Sequence, residues 1–383
     1  MAKGINFEIF RRFFKSGQVG GLLLLFCVAL SLLIANSPLH ESFEQFLANQ
    51  IGYGAIKFSI LAWINDALMA IFFLLVGLEI KRELIGGELS SVKSATLPVI
   101  AALGGMIVPA LIYMLFNQGT PSSGGWGIPM ATDIAFALAI IALLGKSVPS
   151  GLKIFLAALA IVDDLGAIVV IAVFYTSEIH FLYLAMAGGV LVILMLMNYF
   201  GIKHLVFYLL PGIFLWYFIH HSGIHATIAG VLLAFTIPTN DTTELSPLEQ
   251  LEHALTVPVN YLIMPVFALA NTNITFVKGM LSGLISPLGA GILAGLFLGK
   301  TIGVTTFSWL VVKLKWAILP HQTNWKHLIG LGMLAGIGFT MSIFIAMLSF
   351  DDALQISEAK FAILTASVLS GTAGFLFLKL LRK

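Results

Sequence analysis

The sequence predicts an all-α polytopic membrane protein with twelve transmembrane helices, and three observations carry that prediction. Of 383 residues, 59% are hydrophobic and only 10% charged, against roughly 45–50% and about 25% in soluble domains. Apolar runs of spanning length recur from one end of the chain to the other. The basic residues gather in alternate breaks between those runs. So little charge cannot coat a water-facing surface of this size, which excludes a soluble enzyme, a nucleic-acid binder and a disordered chain. The net charge of +2 implies no strongly charged partner; the lipid bilayer is the expected one. Cys27 is the single cysteine, so no internal disulfide is expected, and Cys/His zinc spacing is absent. No cofactor is expected.

A spanning helix needs about 20 mostly apolar residues. Runs between polar breaks predict segments at 19–36, 59–78, 95–116, 124–145, 151–175, 181–200, 205–219, 222–237, 255–272, 288–312, 327–350 and 359–381. The seventh and eighth are short. The first follows Arg11, Arg12 and Lys15, the charge pattern of a signal peptide. Its run is long, however, and no small-x-small cleavage site follows, so it predicts a retained helix. The connectors are short and leave one transmembrane domain over 1–383. The longest, 37–58, holds Gly52-Tyr53-Gly54 between Gln50-Ile51 and Ala55-Ile56, which predicts a small hairpin.

Basic residues orient the chain. Lys3, Arg11, Arg12, Lys15, Lys81, Arg82, Lys93, Lys146, Lys153, Lys203, Lys313, Lys315, Lys326, Lys379, Arg382 and Lys383 fall on the side of the termini. Only Lys57, Lys278 and Lys360 fall opposite. Sixteen against three places both termini in the cytoplasm.

Lys300 lies at the middle of the tenth segment, Asp133 near the middle of the fourth, and Asp163 and Asp164 at the middle of the fifth. Each such charge costs about 2.5–3.5 kcal/mol on the insertion scale. Their matching depths allow one midplane site. A structural ion pair between Lys300 and one aspartate is the plain alternative, although a buried pair is weak evidence for stability. Neighbours on a helix point about 100° apart, so one aspartate can face a substrate and the other a partner such as Lys300. Carboxylate oxygens suit small hard cations as well as protons. Competition between the two for one carboxylate is sufficient to build an exchanger.

The fourth segment carries Pro129 before Thr132 and Asp133, a helix break followed by a good cap. The eleventh carries Gly336 and Gly338 at its centre, a second expected break. Paired interrupted segments predict inverted repeats, about 95–175 and 288–381, with two discontinuous helices crossing at the site. Facing half-helix termini leave partial charges, which Asp133 and Lys300 would neutralise. Packing of small residues between helices is the alternative for the glycines.

The runs Trp63-Ile64-Asn65-Asp66-Ala67-Leu68-Met69, Gly77-Leu78-Glu79-Ile80-Lys81-Arg82-Glu83 and Ala131-Thr132-Asp133-Ile134-Ala135-Phe136 resemble the NhaA-type sodium/proton antiporters. So do Ala160-Ile161-Val162-Asp163-Asp164-Leu165-Gly166-Ala167, Gly223-Ile224-His225-Ala226-Thr227 and Gly336-Ile337-Gly338-Phe339-Thr340-Met341-Ser342. The resemblance implies the bacterial inner membrane and electrogenic export of sodium or lithium against proton entry, faster at alkaline pH. It implies that Asp163 and Asp164 bind ion and proton, with Thr132 beside them. Asp133 and Lys300 match the helix-end charges, Glu79, Glu83, Glu252 and His253 a cytoplasmic pH-sensing cluster, and Asp66 a carboxylate in the periplasmic funnel. The 37–58 connector matches the hairpin that pairs protomers into a homodimer. Thr256 departs from the pattern, because familiar members carry histidine there, which bears on the pH set point.

A sodium-coupled symporter of an organic solute is the alternative transporter; beyond Thr132, Ser342 and the carboxylates little would line its pocket. An aspartyl protease would need a Gly-x-Gly-Asp pattern, which neither Asp133 nor Asp163 has. Lys300 would impede the cation file of a passive channel. No enzyme activity is expected.

Overall fold

In hydrocarbon each backbone N–H and C=O has to find its partner within its own segment, and this chain answers with helices. The structure, a computed structural model, describes residues 7–145, 148–176, 179–239, 245–276 and 280–381, and side chains from residue 19 onward except that of residue 55. Lys3, Lys146, Lys278, Arg382 and Lys383 of the orientation count lie outside the described residues, as do the side chains of Arg11, Arg12 and Lys15. The helices are α1 Phe7–Ala35, α2 His40–Ala48, α3 Ile60–Gly86, α4 Val92–Asn117, α5 Ile134–Leu143, α6 Ser150–Phe174 and α7 Phe181–Tyr199. There follow α8 Val206–His221, α9 Ile228–Thr236, α10 Pro247–Thr272, α11 Pro287–Lys313, α12 Trp325–Ala335, α13 Phe339–Ser349 and α14 Ala353–Leu380. Among the described residues seven helices are long and apolar enough to cross a bilayer, and up to ten spans result if each bent pair is one. The protein is polytopic.

Three expectations need correction. The hairpin is present, but β1 Gln50–Ile51 pairs with β2 Phe58–Ser59 rather than with Ala55-Ile56. Gly54–Ile56 is instead taken up by a 3-10 turn, for which Gly54 supplies φ +58°. The eighth segment does not start at 222: the Ser222 hydroxyl donates to the Ile219 carbonyl, Gly223 takes φ +87°, and α9 begins only at Ile228. The ninth starts before 255, at Pro247, where Ser246 and Glu249 close a reciprocal capping box. Glu249 is therefore a helix-start residue.

The chain's packing falls into two compact units. The first comprises residues 1–32, 92–164 and 272–383. Its α4 and α11 approach closely at Gly104 and Gly303, where a Cβ on Gly303 would sit 2.1 Å from the Gly104 carbonyl oxygen. The second comprises residues 33–91 and 165–271. Its core is Leu74, Leu78, Leu194, Tyr208, Leu215 and Leu233. There α9 presses on α3, since a Cβ on Gly230 would lie 2.1 Å from the Ala70 carbonyl oxygen.

Candidate functional site

Within the first unit both expected breaks are present. Residues Pro121–Met130 form a 3-10 half-helix, Ala131 is extended, and α5 follows at an angle of 44°. Proline at 129 and three glycines make an α-helical first half unfavourable. The second pair, α12 and α13, bends by 47° around Gly336-Ile337-Gly338. Neither glycine has positive φ: Gly336 lies at −70° and Gly338 at −101°. Space is what they supply. A Cβ on Gly336 would be 2.4 Å from the Leu296 carbonyl oxygen, and one on Gly338 3.0 Å from that of Ala131.

The two breaks meet. The Asp133 backbone N–H donates to the Ile337 carbonyl at 2.6 Å. One oxygen of the Asp133 carboxylate caps α5 by accepting from the Phe136 N–H at 3.2 Å. The other accepts from the Thr340 N–H at 3.0 Å and from its hydroxyl at 2.5 Å, at the start of α13. One carboxylate thus serves two helix N-termini, each worth roughly half a positive charge. Thr340 was in the quoted motif but given no role; its helix-start position two residues beyond Gly338 was the available signal.

Lys300 opens the last stretch of α11, directly after a π-turn at Gly295–Gly299. Its ammonium donates to Asp163 Oδ2 at 2.5 Å, with both side chains at 0% exposure. The same oxygen accepts from the Thr132 hydroxyl at 2.6 Å. That hydroxyl also lies 2.9 Å from the Ala335 carbonyl at the end of α12, and its single proton can serve only one acceptor at a time. Asp163 Oδ1 has no hydrogen-bond partner among the described residues. Asp164, 2% exposed, lies in the electrostatic field of Lys300. The structure therefore brings together Thr132, Asp163, Asp164 and Lys300, and gives Asp133 to the helix starts beside them. Among the described residues no group of three His, Cys, Asp or Glu side chains has the geometry of a resident metal site.

The remaining candidates lie in the second unit. Arg82 bridges Glu83 and Glu252, 3.0 Å to each. Glu79 lies in the field of both acids and of Arg82. His253 is exposed next to Glu252, and the Thr256 hydroxyl donates back to the Glu252 carbonyl at 2.7 Å. Two residues of this region went unassigned from sequence. Lys81 donates to the Phe235 and Ile237 carbonyls, at 2.8 and 2.5 Å, and so caps the C-terminal end of α9. Glu88 sits near Glu83, and burial together with that charge raises its carboxyl above the ordinary range. Asp66 stands apart from the cluster, on a π-turn at Trp63–Leu68, 3.7 Å from the His220 ring.

The chain is similar to known proteins along nearly its whole length. The profile of the Na+/H+ antiporter 1 family matches residues 11–378. The chain is 65% identical to the Na+/H+ antiporter NhaA 2 of Flavobacterium johnsoniae, over 99% of this chain and 94% of that protein. It is 49% identical to the NhaA of Bordetella parapertussis over 98% and 97%, and 50% identical to NhaA 1 of Klebsiella pneumoniae over 96% and 95%.

Proposed function

The chain belongs to the Na+/H+ antiporter 1 family, and from that premise we propose that it exports sodium or lithium by letting cation and proton compete for Asp163 and Asp164. Sodium/proton exchange across a bacterial membrane is the family's activity; it is transport, without an enzymatic step. The relatives are named as antiporters, which gives the organic-solute symporter no support.

One observation carries the finer reading: Asp163, held at zero exposure by Lys300 and Thr132, keeps a second oxygen without a partner among the described residues. A cation arriving there finds carboxylate and hydroxyl oxygens, the donors that small hard cations take. Its charge competes with the Lys300 ammonium for Asp163 and with protons for the pair. Proton loss then readmits the cation, and the cycle repeats from the other face. A stoichiometry of more protons than cations makes it electrogenic. Asp133 and Lys300 stabilise the two half-helix pairs, which cross within a twelve-helix bundle of inverted repeats at about 95–175 and 288–381. The Glu79, Glu83, Glu252 and His253 cluster tunes the rate and activates it at alkaline pH. Asp66 lines the outer funnel, the hairpin connector pairs two protomers, and both termini face the cytoplasm of an inner membrane.

Proteoliposomes with an acid interior and a pH-sensitive dye test this directly. Sodium or lithium is expected to collapse the gradient, potassium and choline are not, and Asp164→Asn is expected to abolish the response while the protein stays folded. Full exchange by Asp164→Asn would sink the assignment.

A further inference from the structure

A knot of buried polar groups lies in the first unit, away from the carboxylates. Asn117, at 0% exposure, ends α4 in an otherwise apolar run. Its amide Nδ2 donates to the Pro287 carbonyl at 2.8 Å and to the Tyr113 carbonyl at 3.1 Å. Its Oδ1 accepts from the Ser122 hydroxyl at 2.6 Å, and the Tyr113 hydroxyl donates to the Ser122 carbonyl at 2.6 Å. Every hydrogen-bonding atom of the Asn117 side chain is used. Gly291 makes room for it, since a Cβ there would lie 2.5 Å from Asn117 Nδ2.

Two of the three partners of that amide lie at the starts of the two elements that deliver the site. Ser122 is the second residue of the 3-10 half-helix that ends beside Thr132, and Pro287 opens α11, which carries Lys300. From Pro287 to Lys300 is thirteen residues, about 20 Å at the α-helical rise. From Ser122 to Met130 is eight residues, about 16 Å at the 3-10 rise against about 12 Å had they been α-helical, and extended Ala131 carries the chain on to Thr132. Reaches of similar length from a common origin are what let Thr132 and Lys300 arrive together on Asp163 Oδ2. Along the way the two elements touch at corresponding depth, where a Cβ on Gly295 would lie 2.8 Å from Pro129.

We infer that Asn117 is a positioning residue for the cation site: it fixes the common origin from which the 3-10 half-helix and α11 bring Thr132 and Lys300 to one carboxylate. The inference rests on the exchange reading above for its transport readout. Loss of the knot lets the half-helix slide against α11 and moves the Thr132 hydroxyl off Asp163, as loss of an outer-shell partner does in other ion sites.

The test compares Asn117→Ala, Asn117→Asp and Ser122→Ala with the full-length protein in proteoliposomes, recording sodium dependence, pH profile and melting. Asn117→Ala is expected to raise the apparent KM for sodium by about 10–100-fold, to change maximal rate less, and to displace the pH profile. Ionised Asp at 117 still accepts from Ser122 but gives nothing to Pro287, so Asn117→Asp is expected to fall between. A purely structural role would lower melting while leaving KM and the pH profile alone, and that result overturns the inference. If Asn117→Ala does not fold, Asn117→Asp and Ser122→Ala supply the same readout. If the unsubstituted protein exchanges no cation, the exchange reading fails by itself. A structure of Ser122→Ala then decides the positioning role: Thr132 displaced from Asp163 supports it, and an unmoved Thr132 overturns it.

Discussion

Lys300 and Asp163 share one short contact at zero exposure, and the physics of that pair is asymmetric. Removing one partner strands a charge in the bundle, a loss of about 3–5 kcal/mol, whereas neutralising both is far cheaper. Lys300→Ala is therefore expected to melt much earlier in detergent and to shift the pH dependence of exchange, and Asp163→Asn with Lys300→Gln to recover part of the melting loss. Unchanged melting and transport in Lys300→Ala would remove both roles from the residue. Glu88 carries a different prediction. Its raised carboxyl means that the fold holds this proton more tightly than the unfolded chain does. No penalty exists at acid pH, and stability is lost as pH rises through the raised range. Glu88→Gln is expected to melt like the unsubstituted protein at acid pH and progressively above it toward neutral pH, in a melting series across pH.

At the scale of elements, the spacing of segments was open to a reader of the sequence because hydrocarbon demands long apolar runs, whatever packs on them. The breaks were open too: Pro129 and the Gly336–Gly338 run mark them without any tertiary information. What the runs did not disclose is the kind of helix. Ten residues in 3-10 form are long for that conformation, and their reach toward Asp163 adds a reason beyond the proline and glycines that disfavour an α-helix there. Nor did pattern alone give the glycines their reason, which is backbone approach and not left-handed φ. Gly336→Ala places a methyl on the Leu296 carbonyl and is expected to cost about 1–3 kcal/mol as overpacking, measured by thermal melting. A variant as stable as its parent would show that the α11 backbone yields there.

For the whole molecule, the lopsided basic residues and the hairpin make one linked prediction. Deleting residues 50–59 removes both strands and is expected to leave a folded, exchange-competent monomer where the intact protein runs as a dimer, by light scattering in detergent. A monomeric intact protein would contradict the pairing role. The charge bias predicts that tags at either terminus react only from the cytoplasmic side.

The sequence by itself determined that this chain lives in a membrane, roughly where its apolar helices lie apart from the starts of the eighth and ninth segments, and which four charges it buries. Each of those follows from solvent: lipid rejects charge and unpaired backbone, so hydropathy and stray acids are legible one residue at a time. The exceptions were local turns such as Phe58–Ser59 pairing back on Gln50–Ile51, where hydrogen bonding and not hydropathy sets the register. Tertiary structure alone decided that Asp163 takes Lys300, that Asp133 serves two helix starts, and that Asn117 joins the origins of two site-bearing elements. These are pairings between residues 137, 207 and 170 positions apart. Adjacent aspartates are alike in sequence, and only the packing of other helices around α6 distinguishes the face each one presents.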